Sequence, residues 1–285
     1  MASRGRERRP PASTRRARRR GRRNAGSDLG ARVLVAVPAI LFAIFIVAQG
    51  GLVFAVGVGA LGMVCLHELY QMLGGAHPSR LAGFLGLAAL MLAANYGTQF
   101  QMLLVAMALV PVLFGLVLLQ PRGGTLSIAV TLMGVYWIGL ALAHAVLLRK
   151  LPHGDGIVVD VLVGTFLGDT GAYLGGRLFG TQPLAPRISP GKTVEGLGIG
   201  ILTAVVAVWF AGLYQDWLSG ANALLLGVGI ALAAPVGDLF ESYVKRDAGT
   251  KDTGRFFGAH GGALDRLDAV LFTAVTGYYI WAAMV

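Results

Sequence analysis

Between Asp238 and Asp268 the sequence gathers groups that can bind and split phosphate bonds. They are Ser242, Lys245 and Arg246, then Lys251 and Asp252, then His260-Gly261-Gly262 and Asp265-Arg266-Leu267-Asp268. Charge is costly next to hydrocarbon, so a cluster this dense in a mostly apolar chain marks a functional site at the ends of membrane segments. Asp238, Glu241, Ser242 and Lys245 recur at i, i+3, i+4 and i+7 and share one helix face. Asp265 and Asp268 stand at i, i+3 where the following helix begins. Carboxylates from two neighbouring helices can hold one or two divalent ions, and Mg²⁺ takes one or two carboxylates together with substrate phosphates. Lys245, Arg246, Lys251, Arg255 and Arg266 surround the same spot, which suits a polyphosphate and its charged transition state. Simple ion pairing at a membrane surface would balance the charge. It would not explain the concentration of charge on one side, or the His-Gly-Gly between the helices.

Two further constellations precede this one. Asp169, Tyr173 and Gly176 fall at i, i+4 and i+7, one helix face, and Arg177 follows where a cation can reach a phosphate or headgroup. An internal pairing of Asp169 with an arginine is the competing structural reading. Ser189-Pro190-Gly191-Lys192-Thr193-Val194-Glu195-Gly196 contains a Gly-Lys-Thr, but Pro186 stands where a Walker phosphate loop needs glycine, and no preceding strand is predicted. What remains is a short loop opening a helix, with Ser189, Lys192 and Thr193 near a helix N-terminus that favours phosphate. A cap formed by Ser189 or Thr193 is compatible with that role. His67-Glu68 lacks the second histidine of a zinc-protease motif, since Gln71 is there. Glu68 therefore reads either as half of a structural pair or as an outlying site residue.

The elements that position these groups are membrane helices. Of 285 residues, 55% are hydrophobic and 13% charged, with 42 glycines, against about 25% charged in a soluble domain. Small residues let membrane helices approach closely. Apolar segments of roughly 20 residues fall near 33–48, 51–73, 81–95, 100–119, 125–148, 157–179, 194–214, 221–245 and 265–285. The fold class is thus all-α, a polytopic integral membrane protein with about nine transmembrane helices. Residues 1–32 form a disordered Arg-rich tail, 33–150 a transmembrane scaffold, and 151–285 a transmembrane catalytic region.

The net charge of +10 is carried by the tail: residues 1–32 hold twelve of the 24 Lys and Arg, and the remainder is near neutral. Such a tail reads as a cytosolic topology anchor that touches anionic lipid headgroups, with no nucleic acid expected. Placing it in the cytosol puts the connections near 74–80, 120–124, 180–193 and 246–264 there too, with Arg80, Arg122, Arg187, Lys192, Arg246, Lys251 and Arg255. The connections near 96–99 and 215–220 contain no Lys or Arg, as the positive-inside rule requires. Arg149-Lys150 is the exception: either these side chains snorkel to the interface or one span is misplaced. Cys65 lies alone in an apolar run and reads as a packed core thiol. Of fourteen Asp and Glu, only Glu7, Asp28 and Glu68 precede residue 150, so the chemistry belongs to the C-terminal half.

All three constellations resemble the phosphatidate cytidylyltransferase (CDP-diacylglycerol synthase) family in order and spacing. The family signature is matched by Ser242, Lys245, Arg246, Lys251, Asp252, His260, Gly261, Gly262, Asp265, Arg266 and Asp268, and the Ser189–Gly196 loop fits as well. Gly258 and Ala263 depart from it, replacing a usual proline and a larger aliphatic, without removing a charged group. The resemblance covers residues 157–285 well and the N-terminal half only in hydropathy. It implies transfer of a cytidylyl group from CTP to phosphatidate, giving CDP-diacylglycerol and pyrophosphate in phospholipid biosynthesis. It also implies a nucleotidyltransferase dependent on one or two Mg²⁺ ions, with a monovalent cation admitted beside them. Asp238 and Asp265 match the family's metal positions, and Asp268 joins them. Asp238, Lys245, Arg246, Asp265 and Arg266 are then the catalytic set, with Ser189, Lys192, Thr193, Ser242, Lys251, Arg255, His260, Asp169, Tyr173 and Arg177 binding substrate or phosphate. The implied setting is the inner (plasma) membrane, multi-pass, with N-terminus and site facing the cytosol, and a homodimer.

Three other functions compete. One is a CTP-dependent enzyme acting on another lipid, a polyprenol kinase or an archaeal-type CDP-lipid synthase. A CDP-alcohol phosphotransferase lacks support, because the only Asp-Gly, Asp155-Gly156, is not followed by that family's pattern. A transporter would place charges near midplane in repeated halves. Here charge gathers at one face, and no repeat is visible.

Overall fold

A computed structural model describes residues 37–119, 124–254 and 261–285. The Arg-rich tail 1–32, Arg122, Arg255, Gly258 and His260 lie outside the described residues. The chain separates into two units, Met1–Ala43 and Ile44–Val285. Of the first, the described residues 37–43 are helical and mostly exposed.

The described residues form nine helices and one β-hairpin. They are α1 (Val37–Gln49), α2 (Gly51–Met72), α3 (Arg80–Tyr96), α4 (Gln99–Leu118), α5 (Thr125–Lys150), α6 (Gly154–Phe179), β1 (Pro183–Ala185), β2 (Ser189–Thr193), α7 (Val194–Gly212), α8 (Gly220–Asp247) and α9 (Leu264–Ala282). Helices dominate because hydrocarbon offers no partner for backbone N–H and C=O groups, so each spanning segment must satisfy its own. Six of them, α2, α4, α5, α6, α7 and α8, are long and apolar enough to cross a membrane, and α1 and α3 are apolar but shorter. Helix α9 carries Asp265, Arg266 and Asp268 within its first five residues. This is a multi-pass all-α membrane protein with one departure. The sequence predicts a loop over residues 180–193, whereas the structure pairs Pro183 with Thr193 and Ala185 with Ser189 in an antiparallel hairpin. Three- and five-residue strands are too short to leave a periodic signal.

Small residues set how closely α6 and α7 meet. A Cβ on Gly168 would lie 3.0 Å from the Ala204 Cβ, and one on Gly200 would lie 2.7 Å from the Ala172 Cβ. Without a hydrophobic drive between helices in lipid, such contact is what dispersion needs to hold them together. Helix α8 completes this group by packing on both α7 and α9. Its 28 residues make it about 42 Å long, more than the ~30 Å hydrocarbon core, so its charged last turns reach an interface.

The cations that break the positive-inside pattern are accounted for at the opposite end of the bundle. Arg149 Nε donates to the Val47 carbonyl at 2.8 Å, at the C-terminal end of α1. Lys150 Nζ donates to the carbonyls of Ala94, Asn95 and Gly97 at 2.9, 3.0 and 2.7 Å, at the C-terminal end of α3. Both side chains thus occupy the negative ends of helix dipoles and satisfy carbonyls that have no partner within their own helix. At this end too, His153 stacks on Trp217 at 4.4 Å, and Trp281 Nε1 donates to the Pro152 carbonyl at 2.8 Å. Replacing Lys150 by methionine keeps the aliphatic stem and strands the three carbonyls. The expected loss is about 1 kcal/mol, read as a thermal unfolding midpoint in detergent lowered by roughly 2–4 °C. An unchanged midpoint would remove the capping role.

Candidate active site

Four helix ends, those of α6, α7, α8 and α9, and the hairpin converge at the end of the bundle away from Arg149. The hairpin is held first. Glu195, in the first turn of α7, accepts from Thr181 N at 3.1 Å and from the Thr181 hydroxyl, and Gln182 N lies 3.3 Å away. Thr193 caps α7, its Oγ1 accepting from Gly196 N at 3.1 Å. Gly191-Lys192-Thr193 therefore lies in an extended strand, which explains why the Gly-Lys-Thr triplet is no phosphate-wrapping loop. At the far side of the hairpin, Arg246 Nε donates to the Ile188 carbonyl at 3.1 Å and ties the end of α8 to the β1–β2 turn.

A cleft of about 320 Å³ results, lined by Asp169, Tyr173 and Arg177 of α6, Lys192 and Thr193 of β2, and Asp238 of α8. Its apolar lining includes Leu184, Leu197 and Pro235. Lys192 forms an ion pair with Asp238. Residues that lie far apart in sequence thus share one cavity, because α6, the hairpin and α8 meet there.

Beside the cleft lies an acidic cluster. Carboxylate oxygens of Asp238, Glu241 and Asp268 lie within 4.8 Å of one another. Close approach of α8 and α9 permits this: at Gly237 a Cβ would sit 2.5 Å from the Asp268 carbonyl oxygen and 3.0 Å from the Ala269 Cα. Lys245 Nζ bridges the same two helices, 2.5 Å from Glu241 Oε2 and 2.8 Å from Asp265 Oδ1. Ser242 Oγ donates to Asp238 Oδ1 at 3.4 Å. Asp265 also accepts from Gly262 N at 2.7 Å and from Thr253 N at 3.1 Å, which folds the connection between α8 and α9 back on the first turn of α9. The glycine pair has two separate tasks here. Gly261 takes φ +83°, a conformation costly for other residues, and Gly262 leaves no space for a Cβ against Thr253 and Glu68.

The metal set read from the sequence, Asp238, Asp265 and Asp268, differs from this cluster at one place: Glu241 stands where Asp265 was expected. Glu241 is 1% exposed, and its Oε1 has no hydrogen-bond partner among the described residues. One such buried oxygen, clustered with two more carboxylates, belongs to a hard-oxygen donor set that fits a divalent cation of the Mg²⁺ or Ca²⁺ type. Glu241 was legible as lying on the Asp238 face. Its burial, which sets it apart from the neighbouring carboxylates, was not. Lys251 is exposed beyond α8 and Arg266 is exposed in the first turn of α9; with Ser189, they do not line the cleft among the described residues. Thr253, to which no motif points, is buried and central to the connection.

The model of the cytidylyltransferase family matches residues 30–284. The phosphatidate cytidylyltransferase of Staphylococcus epidermidis is 33% identical over 252 residues, covering 85% of this chain and 94% of that protein. The protein of the same name from Staphylococcus aureus is 34% identical over 249 residues, with the same coverage. The uncharacterized protein YnbB of Escherichia coli is 36% identical over 165 residues, which span about half of each chain (56% and 55%).

If the acidic cluster holds the metal, Mg²⁺ will raise the thermal unfolding midpoint of the wild-type protein by mass action on the folded state. The Asp268→Asn and Glu241→Gln variants should each need roughly tenfold more Mg²⁺ for the same rise. An identical Mg²⁺ response in wild type and Asp268→Asn would take that carboxylate out of the set.

Proposed function

The chain belongs to the cytidylyltransferase family, and on that premise we propose that it transfers the cytidylyl group of CTP to phosphatidate, giving CDP-diacylglycerol and pyrophosphate. The observation that carries this reading is the meeting of a partly apolar cleft, lined by Arg177 and Lys192, with an acidic cluster at one end of the bundle. Lys192 and Asp238 lie at their junction. A polyphosphate needs cations and a metal; a lipid headgroup needs an apolar wall and an opening at the membrane surface. The cleft and the acidic cluster beside it, which share Asp238, support both needs together.

In the proposed reaction a phosphate oxygen of phosphatidate attacks the α-phosphorus of CTP. The new P–O bond forms as the bond between the α-phosphorus and the α,β-bridging oxygen breaks, and pyrophosphate leaves in line. A phosphate monoester is already largely ionised near neutral pH, so no strong general base is required. Lys192 and Lys245, with Arg246, Lys251 and Arg266 nearby in the fold, orient the phosphates and balance the charge that grows on the leaving group. Tyr173 and Arg177 line the cleft together with Leu184, Leu197 and Pro235, whose apolar surface suits a lipid acceptor. Asp238, Glu241 and Asp268 would hold one or two Mg²⁺ ions, which when bound supply charge neutralisation at the phosphates. Asp265 serves mainly to hold Lys245 and the loop amides, a role its hydrogen bonds support. The site and the N-terminus face the cytosol of the inner membrane, where CTP is available. A homodimer belongs to the same proposal on the family resemblance alone.

The test is transfer of label from CTP marked at the α-phosphorus into lipid, with purified protein in phosphatidate micelles containing Mg²⁺. Labelled CDP-lipid and released pyrophosphate are expected, with turnover lowered by about 10²–10³-fold in Asp238→Asn and in Lys192→Ala. Label appearing only with a polyprenol or another lipid acceptor would replace phosphatidate as the substrate.

A further inference from the structure

Glu68 is the lone carboxylate between Asp28 and Asp155, and it sits on scaffold helix α2. Its side chain is buried, 4% exposed, and turned away from any partnership with the adjacent His67, which is exposed. Instead the carboxylate enters the connection between α8 and α9. Glu68 Oε2 accepts from Leu264 N at 3.0 Å and from the Thr253 hydroxyl at 3.4 Å. Leu264 is the first residue of α9, whose Ala263 cap offers no side-chain acceptor. A carboxylate from another helix thus performs the capping that the local sequence lacks, at the positive end of the α9 dipole. Gly254 and Gly262 have no room for a Cβ, because the Glu68 carboxylate occupies that space on both sides.

From there the contacts continue without a gap. Thr253, held by Glu68 through its hydroxyl, donates its backbone N–H to Asp265. Asp265 holds Lys245, and Lys245 holds Glu241 of the acidic cluster. We infer that Glu68 is a positioning residue: it fixes the Thr253–Asp265 pair, and through it the placement of Lys245 and Glu241. This assignment rests on the cytidylyl-transfer reading for its kinetic consequence, but not for its geometry. A carboxylate buried only to close the bundle would not need two glycines and a helix N-terminus arranged around it.

The experiment compares wild type with Glu68→Ala, Glu68→Gln and Thr253→Val in detergent micelles. It measures kcat, the KM for phosphatidate and the Mg²⁺ concentration for half-maximal turnover. Mg²⁺-dependent thermal stabilisation is followed separately, since it does not depend on the reaction. Positioning predicts kcat in Glu68→Ala lowered about 10–100-fold, a several-fold higher Mg²⁺ requirement in both assays, and a phosphatidate KM within about twofold of wild type. Glu68→Gln keeps one acceptor for Leu264 N and should recover part of the loss. Thr253→Val, which keeps the buried volume and removes the hydroxyl, should shift kcat and Mg²⁺ requirement in the same direction. Folded Glu68→Ala with wild-type kcat and Mg²⁺ dependence overturns the proposal. If Glu68→Ala yields no folded protein, the same wild-type values in Thr253→Val overturn it. A wild-type protein that transfers no label but still shows the Mg²⁺ shift between variants would overturn the substrate reading and leave the positioning intact.

Discussion

Everything at this end of the bundle depends on keeping several carboxylates together where they would otherwise repel. Asp238, Glu241, Asp265 and Asp268 approach one another from α8 and α9. Two lysines are placed against them, Lys192 on Asp238 and Lys245 between Glu241 and Asp265. Among the described residues these two ammonium groups offset part of the repulsion between the four carboxylates. Close charges of one sign are tolerated only with such compensation, because the low dielectric of a membrane protein amplifies both repulsion and attraction. The identity and spacing of these side chains are therefore one connected requirement.

Backbone proximity makes that requirement attainable. Gly237 removes the side chain that would separate α8 from α9 beside the cluster, as Gly168 and Gly200 do between α6 and α7. In lipid, helices are not driven together by burial of apolar surface, so these close contacts carry the association directly. Glycines thus stand where helices bearing functional groups must meet. The hairpin then spans the gap between α6 and α7. Its own strands are short, and the Glu195 carboxylate at its base and Arg246 at its turn fasten it.

The far end of the molecule uses the same electrostatic rule with opposite sign. Arg149 and Lys150 occupy helix C-termini, whose carbonyls carry partial negative charge, and so contradict a simple count of cations per side without contradicting its physical basis. A cation held by protein carbonyls is compensated before it meets the bilayer. Glu68 is the mirror case, an anion held at a helix N-terminus. In both, a charge that looks anomalous along a single segment is satisfied by the end of another helix.

Helix positions were largely legible from the sequence, because twenty apolar residues between polar breaks leave a hydrocarbon-spanning segment little choice but helix. Gly51–Met72, Gln99–Leu118 and Val194–Gly212 begin within a residue of where hydropathy puts them. Helical spacing also placed Asp238, Glu241, Ser242 and Lys245 on one face, since that periodicity is local. Three matters were decided by tertiary structure alone. Residues 183–193 pair as strands through contacts too few to impose a pattern. Among the four clustered acids, Glu241 became the most buried and kept one oxygen without a hydrogen-bond partner among the described residues, while Asp265 turned to Lys245 and backbone amides. Glu68 met a helix N-terminus 196 residues along the chain. Sequence periodicity reports which face of a helix a residue occupies; what that face meets depends on the packing of other helices, and burial and partnership arise only there.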